Sequence, residues 1–224
     1  MLSTTRLNGD GGEYLMTTDA LLDNGSVAMA PAAFQRMFAL SPNDQARMAY
    51  PTDFYKRLLT QFEVPQPQSW GGYASVRPNE LYSMHFWLYS LLALPFYALL
   101  KLLNLNPAWA FGLLNLSFVC MCGAYLRTAM PRHWNVRMLL FLSLGTTLYL
   151  RWTGPEIMSA CCVVVACVAL LKGRPGLATL VAGIAASQNP SIIFIAPFAF
   201  AYWLFLRRRG GVAARRARRP GSRA

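Results

Sequence analysis

Charge is scarce in this chain. Only 13% of its 224 residues are Asp, Glu, Lys or Arg, about half of the roughly 25% usual in a soluble globular domain, while hydrophobic residues make up 55%. Acids almost vanish past residue 80. Asp10, Glu13, Asp19, Asp23, Asp44, Asp53, Glu63 and Glu80 precede that point, and only Glu156 follows it. From Phe86 to Leu206 the chain is a series of apolar blocks with charges only between them, apart from Lys101 near one block's end. Hydrocarbon excludes charge, so the pattern excludes an ordinary soluble domain and predicts an integral membrane protein.

Two further absences narrow the class. The five cysteines, Cys120, Cys122, Cys161, Cys162 and Cys167, all lie inside apolar blocks. Cys120 and Cys122 are separated by one residue rather than the two of a metal-binding pair, so the five read as small polarizable hydrophobes and imply no disulfide framework. Residues 1–13 contain no apolar run of the kind a signal peptide needs. If residues 1–80 are exported, a segment outside this sequence is expected to export them.

Basic residues are abundant but badly distributed. The formal net charge is +12, yet the ending "RRRGGVAARRARRPGSRA" holds eight arginines, and without it 13 basic and nine acidic side chains remain, a net +4. The rest of the excess sits in short loops between apolar blocks, as in cytoplasmic loops, and not along a nucleic-acid groove. Nucleic acid is therefore excluded as a partner, and the bilayer takes its place.

The polar segment, residues 1–80, contains a helical pattern from Gly11 to Asp23 with Tyr14, Leu15, Leu21 and Leu22 on one side, ended by Asn24-Gly25 as a left-handed cap. Residues 26–80 read as a structured loop with short helices, one of them near Asp53 to Phe62. The apolar blocks are Phe86–Leu103, Ala108–Leu126, Met138–Leu150, Ile157–Leu171, Leu177–Ser187 and Ser191–Leu206, the last two divided by Gln188-Asn189-Pro190. A straight span needs about 20 residues, so several of these are expected to be tilted, broken or partial helices. Positive-inside orientation puts the loops 127–137, 172–174 and 207–209 in the cytoplasm and 151–156, 187–190 and the acidic segment outside. Two full crossings between residues 85 and 127 would contradict this. Either one of the first two blocks is not a full crossing, or residues 127–137 lie outside despite their charge.

The fold expected is all-α: a polytopic transmembrane helical bundle of about five to six apolar segments. Residues 1–85 form an outer-side (periplasmic) loop region with amphipathic helices, residues 86–206 the transmembrane region, and residues 207–224 a basic, disordered tail.

Asp10 followed by Glu13, just before an apolar helical pattern, forms a variant of the capping box: Asp10 accepts a hydrogen bond from a first-turn N–H and Glu13 reaches back. A cap also fixes a carboxylate in space, so the same acid can do chemistry. The stretch "NGDGGEYLMTTDALLDNGS" resembles the opening of the first outer loop in GT-C superfamily membrane glycosyltransferases, among them protein O-mannosyltransferases and aminoarabinose transferases. "YSMHFWLYSLLALPFYALLKLL" (82–103) resembles the family's return to the membrane, with a basic residue, an aromatic run and a Pro. "LYLRWTGPEIMSA" (148–160) is similar to its Arg-then-acid element.

The resemblance implies transfer of a sugar from a polyprenyl-phosphate donor to a glycan or lipid acceptor at the outer face of a bacterial inner membrane, by a multi-pass protein. An inverting transfer needs a carboxylate to take the acceptor's proton. Asp10 matches the family's first acid. The family's adjacent second acid is Gly11 here, and Glu13 is the nearest substitute. The departing lipid phosphate needs a preorganised cation, for which His85, Arg151 and Arg77 are the candidates. Glu156 is a candidate by its place between apolar blocks, and Gln188 and Asn189 could line a sugar cavity. Each has a plainer role open to it. His85 can anchor a helix end at the interface. Arg151 can snorkel or pair with Glu156, Glu156 can stabilise a helix start behind Pro155, and Gln188-Asn189 can cap a broken helix.

No cofactor is called for, and no firm metal site is offered: a divalent cation is compatible with the chain without being indicated by it. The family carries a transmembrane helix before the acidic loop and more spans after it, so the sequence is expected to be a truncated member with a truncated or out-of-frame ending; the rival is a genuine polybasic tail that binds anionic lipid. The alternatives are a non-catalytic membrane protein of the same ancestry, or a transporter, suggested by broken helices with polar residues at depth.

Overall fold

The structure, a computed structural model, describes residues 11–39, 60, 73–75, 77–195, 197–198 and 200–205. Helix accounts for 74% of them, which makes the chain all-α. The strands described are two short ones, β1 (Tyr73–Ala74) and β2 (Tyr82–Ser83), paired antiparallel with Tyr73 opposite Ser83 and Ala74 opposite Tyr82. This hairpin lies where only loop and helix were expected. The helix expected near Asp53 to Phe62 and the basic tail fall outside the described residues, Thr60 excepted.

The chain divides into two compact units, one formed by Met1–Cys120 with Leu140–Met158, the other by Met121–Leu139 with Ser159–Ala224. The first begins with α1 (Gly11–Asn24). It closes as the sequence signals: Gly25 takes φ +62° and its N–H returns to the Leu21 carbonyl, a left-handed cap that Gly adopts without Cβ strain. The expected one-sided burial is not found. Every residue from Gly11 to Ala20 is buried, including Glu13, Thr17, Thr18 and Asp19, whereas Leu21 and Leu22 are half-buried. The cause is that α2 (Pro31–Ala39) and α3 (Leu88–Leu102) both pack on α1, so a helix meant for one interface is covered on several sides.

α3 has its own inversion. Its exposed positions Leu91, Pro95, Leu99 and Leu102, with Trp87 just before its start, form one apolar stripe at helical spacing, while its buried face holds Tyr89, Ser90, Ala93, Tyr97 and Leu100. In water the stripe would lie inside. Pro95 is accommodated within the helix, on its exposed face. α1 and α3 run side by side in the same direction: Ser90 Oγ donates to the Tyr14 carbonyl at 3.1 Å, and one end further on Tyr97 Oη donates to Asp19 at 2.8 Å.

α4 (Trp109–Ala129) is the one described helix long and apolar enough to cross a membrane; its 21 residues reach about 31 Å. α5 (Trp134–Phe141) continues through a π-helical turn, Leu142–Thr146, into Thr147–Tyr149. In the first unit, Asn115 of α4 holds the turn that follows: its amide donates to the Trp152 carbonyl at 2.9 Å, and its Oδ1 accepts from Tyr89 at 2.8 Å.

The second unit contains most of α6 (Glu156–Leu171) and all of α7 (Pro175–Ala186). Its core is Ala166, Ala169, Ala178 and Ala182, with Tyr125, Leu170, Leu177 and Ile195 against it. Small side chains let two backbones approach closely. The larger Leu180 and Ile184 of α7 face outward. The 3-10 turn Pro190–Phe194 follows, so the break expected at Gln188-Asn189-Pro190 is present.

Candidate functional site

α1 delivers Glu13 from its first turn, and the β1–β2 hairpin delivers Ser83 and His85. Glu13 is only 1% exposed, and a buried carboxylate is costly unless hydrogen-bonded. Its Oε2 accepts from Ser83 Oγ at 2.6 Å and from His85 Nδ1 at 2.7 Å. Ser83 Oγ in turn accepts the His85 backbone N–H at 3.0 Å. The histidine is therefore fixed at both backbone and ring, with the ring 35% exposed. Tyr14 tilts against it at 5.8 Å between centroids, and Tyr89 meets Tyr14 edge to face at 5.4 Å. Phe111 stacks on Tyr89 at 5.6 Å.

Of the residues singled out in the sequence, the structure brings Glu13 and His85 into direct contact. Glu13 reaches to the hairpin, and the capping box expected with Asp10 falls outside the described residues. Asp10 lies outside the described residues. Arg77 is exposed on the turn before β2, where its carbonyl accepts from Ser75 Oγ at 3.1 Å and from the Glu80 N–H at 3.2 Å. Arg151 and Glu156 flank the turn that Asn115 holds, and both belong to the unit of Glu13 and His85. Glu156 occupies the first turn of α6, where a carboxylate faces the helix's positive end. Its carboxylate folds back over Gly154, and a Cβ there would clash with it. Gln188 and Asn189 belong to the second unit and close α7, both N–H groups returning to the Ala185 carbonyl. Gln188 Oε1 is buried without a hydrogen-bond partner among the described residues.

A second cluster escaped sequence reasoning. Asp19, buried on α1, accepts from Tyr97 Oη at 2.8 Å, from Lys101 Nζ at 3.1 Å and from Arg36 Nε at 2.7 Å. Arg36 and Lys101 also reach Asp23, at 2.6 and 3.5 Å. Burial pushes the Asp19 carboxyl up, but the hydrogen bonds from Tyr97, Lys101 and Arg36 outweigh it and hold the group below its ordinary 3.8. The one signal in the sequence was Lys101 inside an otherwise apolar block, since a charge there requires a partner. Asn115, Ser90 and Tyr89 carried the same signal as polar groups inside apolar blocks. Among the described residues no group of three or more His, Cys, Asp or Glu side chains is placed to hold a metal ion.

No protein-family model matches the chain, and neither the curated proteins nor the solved structures contain a match to it.

Proposed function

We propose that the chain is a multi-pass membrane glycosyltransferase of GT-C type in a bacterial inner membrane, moving a sugar from a polyprenyl-phosphate donor to a glycan or lipid acceptor on the outer side. The observation that supports it most is the Glu13–His85 pair, in which a buried carboxylate fixes a half-exposed imidazole. In this reading the acceptor hydroxyl attacks the sugar's anomeric carbon, the bond from that carbon to the phosphate oxygen breaks, and polyprenyl phosphate departs. Asp10 takes the hydroxyl proton. His85, held by Glu13 through Nδ1, is set against the departing phosphate, where Arg151 and Arg77 add positive charge. Glu156 stands with Arg151 at the same turn.

The inverted burial supports a membrane setting. Leu99, Leu102, Leu139, Leu148, Leu180 and Phe198 are exposed while Ser90, Asn115 and Thr146 are buried, the arrangement expected when lipid surrounds the helices. The lengths support an answer to the crossing count. α3 has 15 residues, about 22 Å, against a hydrocarbon core of about 30 Å. Taken as an interfacial helix with its apolar stripe toward lipid, it leaves α4 as the first full crossing. Residues 127–137 then face the cytoplasm, as their charge requires, and 151–156 face outward with His85.

The test is the mass profile of outer-side glycans and lipids from cells carrying the wild-type gene, Asp10→Asn or His85→Ala, with each protein followed in the membrane fraction. The expected outcome is a sugar-sized increment that falls roughly a hundredfold or more in Asp10→Asn, the scale of a lost general base. An unchanged profile from membrane-inserted variants would sink the proposal.

A further inference from the structure

We infer that the cavity beside Asp19 holds the phosphate of an anionic phospholipid, at a site separate from His85. The cavity measures about 390 Å³, within the roughly 300–1,000 Å³ of small-ligand sites. Its wall is mostly apolar, from Leu15, Met16, Leu105 and Pro107 among others, with Asp19, Arg36 and Lys101 as its charged members.

The hydrogen-bond inventory decides the sign of the ligand. Both oxygens of Asp19 are engaged, Oδ1 by Tyr97 and Lys101 and Oδ2 by Arg36; both oxygens of Asp23 face the same two cations. Every carboxylate oxygen already faces a cation or the Tyr97 hydroxyl. The N–H groups not so engaged belong to the two cations. Arg36 spends Nε and Nη2 on the two acids, and its Nη1 meets no acceptor among the described residues. Lys101 has three N–H groups and two acid partners. Both side chains are partly exposed, 47% and 36%, and so reachable. The acids hold the two cations in place, and the spare N–H groups fit a phosphate oxygen.

The surroundings select a lipid over a free anion. Asn104, Leu105 and Pro107, which line the cavity, belong to the link that leads directly into α4. If α4 crosses the membrane, that link lies at headgroup depth. Next to it Leu99, Leu102, Leu103 and Leu105 are exposed, Leu102 to 78%, a surface on which acyl chains can lie. The inference rests on the reading of α4 as a crossing; if that reading fails, the protein will not fractionate with membranes, whereas failure of the lipid site leaves fractionation intact.

The test uses the full chain purified in detergent, with bound lipid counted by native mass spectrometry. Dioleoylphosphatidylglycerol, dioleoylglycerol and inorganic phosphate are each added. One phosphatidylglycerol is expected to remain bound at least roughly tenfold more tightly than dioleoylglycerol, a step of about one decade in Kd, and inorganic phosphate is expected not to displace it. Arg36→Gln should abolish the preference. Since that change disturbs the Asp19 network, Leu102→Gln with Leu105→Gln is tested beside it: the ion pairs are untouched, and retention should still fall severalfold. Equal retention of the two lipids overturns the inference, as does displacement by inorganic phosphate, which would make the site one for a free anion. Wild-type retention by the folded leucine variant overturns it as well.

Discussion

The α1–α3 pair of the first unit and the α6–α7 pair of the second are built on opposite rules. Along α1 and α3 the contact is polar, from Ser90 on the Tyr14 carbonyl to Tyr97, Lys101 and Arg36 on Asp19. Between α6 and α7 it is a cluster of alanines. The alanine cluster is made of small side chains and tolerates any neighbour small enough. The polar pair depends on particular atoms in a particular register, because a buried donor or acceptor left over costs more than a made bond contributes. The unit with the polar pair is also the one that holds Glu13 and His85. A fixed register there fixes the position of Glu13 relative to the hairpin, and hence of the imidazole.

The comparison can be broken most sharply at Asp19. Asp19→Ala removes the common partner of Tyr97, Lys101 and Arg36 and should cost about 3 kcal/mol, the low end for disrupting a buried ion pair because both cations can rehydrate. The melting temperature of the detergent-purified protein reports it. A loss no larger than that of a typical surface change would mean the network is decorative. Ala182→Leu tests the other rule. Ala182 is buried in the alanine cluster, and three added heavy atoms there should cost about 2 kcal/mol through overpacking. The same assay measures it, and an unchanged melting temperature would show that the two helices do not need close approach.

Smaller effects sharpen the contrast. Tyr97→Phe keeps the ring and deletes one hydrogen bond to a carboxylate, for an expected loss of about 1.5 kcal/mol. The last expectation concerns acid. Asp19 is held below its ordinary 3.8 in the folded protein, so its contribution is fully present above that value and drains away as pH falls through the lower folded one. Melting curves taken downward from pH 5 should show the wild type losing stability in that window more steeply than Asp19→Asn. Ala182→Leu should follow the wild-type slope, since the described residues of its cluster include no carboxyl group to titrate in that window.

What could be read from the sequence follows from what periodicity and composition encode. The Gly11 helix with its Asn24-Gly25 stop, the long Ala108–Leu126 block and the block from Ile157 to Leu171 all have counterparts in α1, α4 and α6. Caps and apolar runs are local properties, so local reading finds them. The Asp19 cluster is not local. Asp19 meets Arg36 across 17 residues and Lys101 across 82, and nothing in either neighbourhood announces the other. Glu13 illustrates the same limit. Its spacing from Asp10 suggested a cap, whereas its partners Ser83 and His85 lie 70 and 72 residues away. The hairpin that brings them was hidden in a segment rich in Pro, Gln and aromatics, where strands of two residues leave no pattern. Asp10, at the head of the candidate list, lies outside the described residues, and its role rests on the resemblance.

Asn115 has a consequence for how the protein is made. Its side chain joins Tyr89, 26 residues before it, to the Trp152 carbonyl, 37 residues after it. On a growing chain the first partner is already available and the second has not been synthesised. At about 5–20 residues per second, the amide nitrogen waits roughly two to seven seconds for residue 152 to be added, and longer for it to leave the ribosome. Through that interval the amide nitrogen must be met by something other than its final partner, by water or by another polar group. Assembly of the first unit is thereby timed by translation, with the stretch from the turn at 149–152 to Met158 as its last piece to arrive.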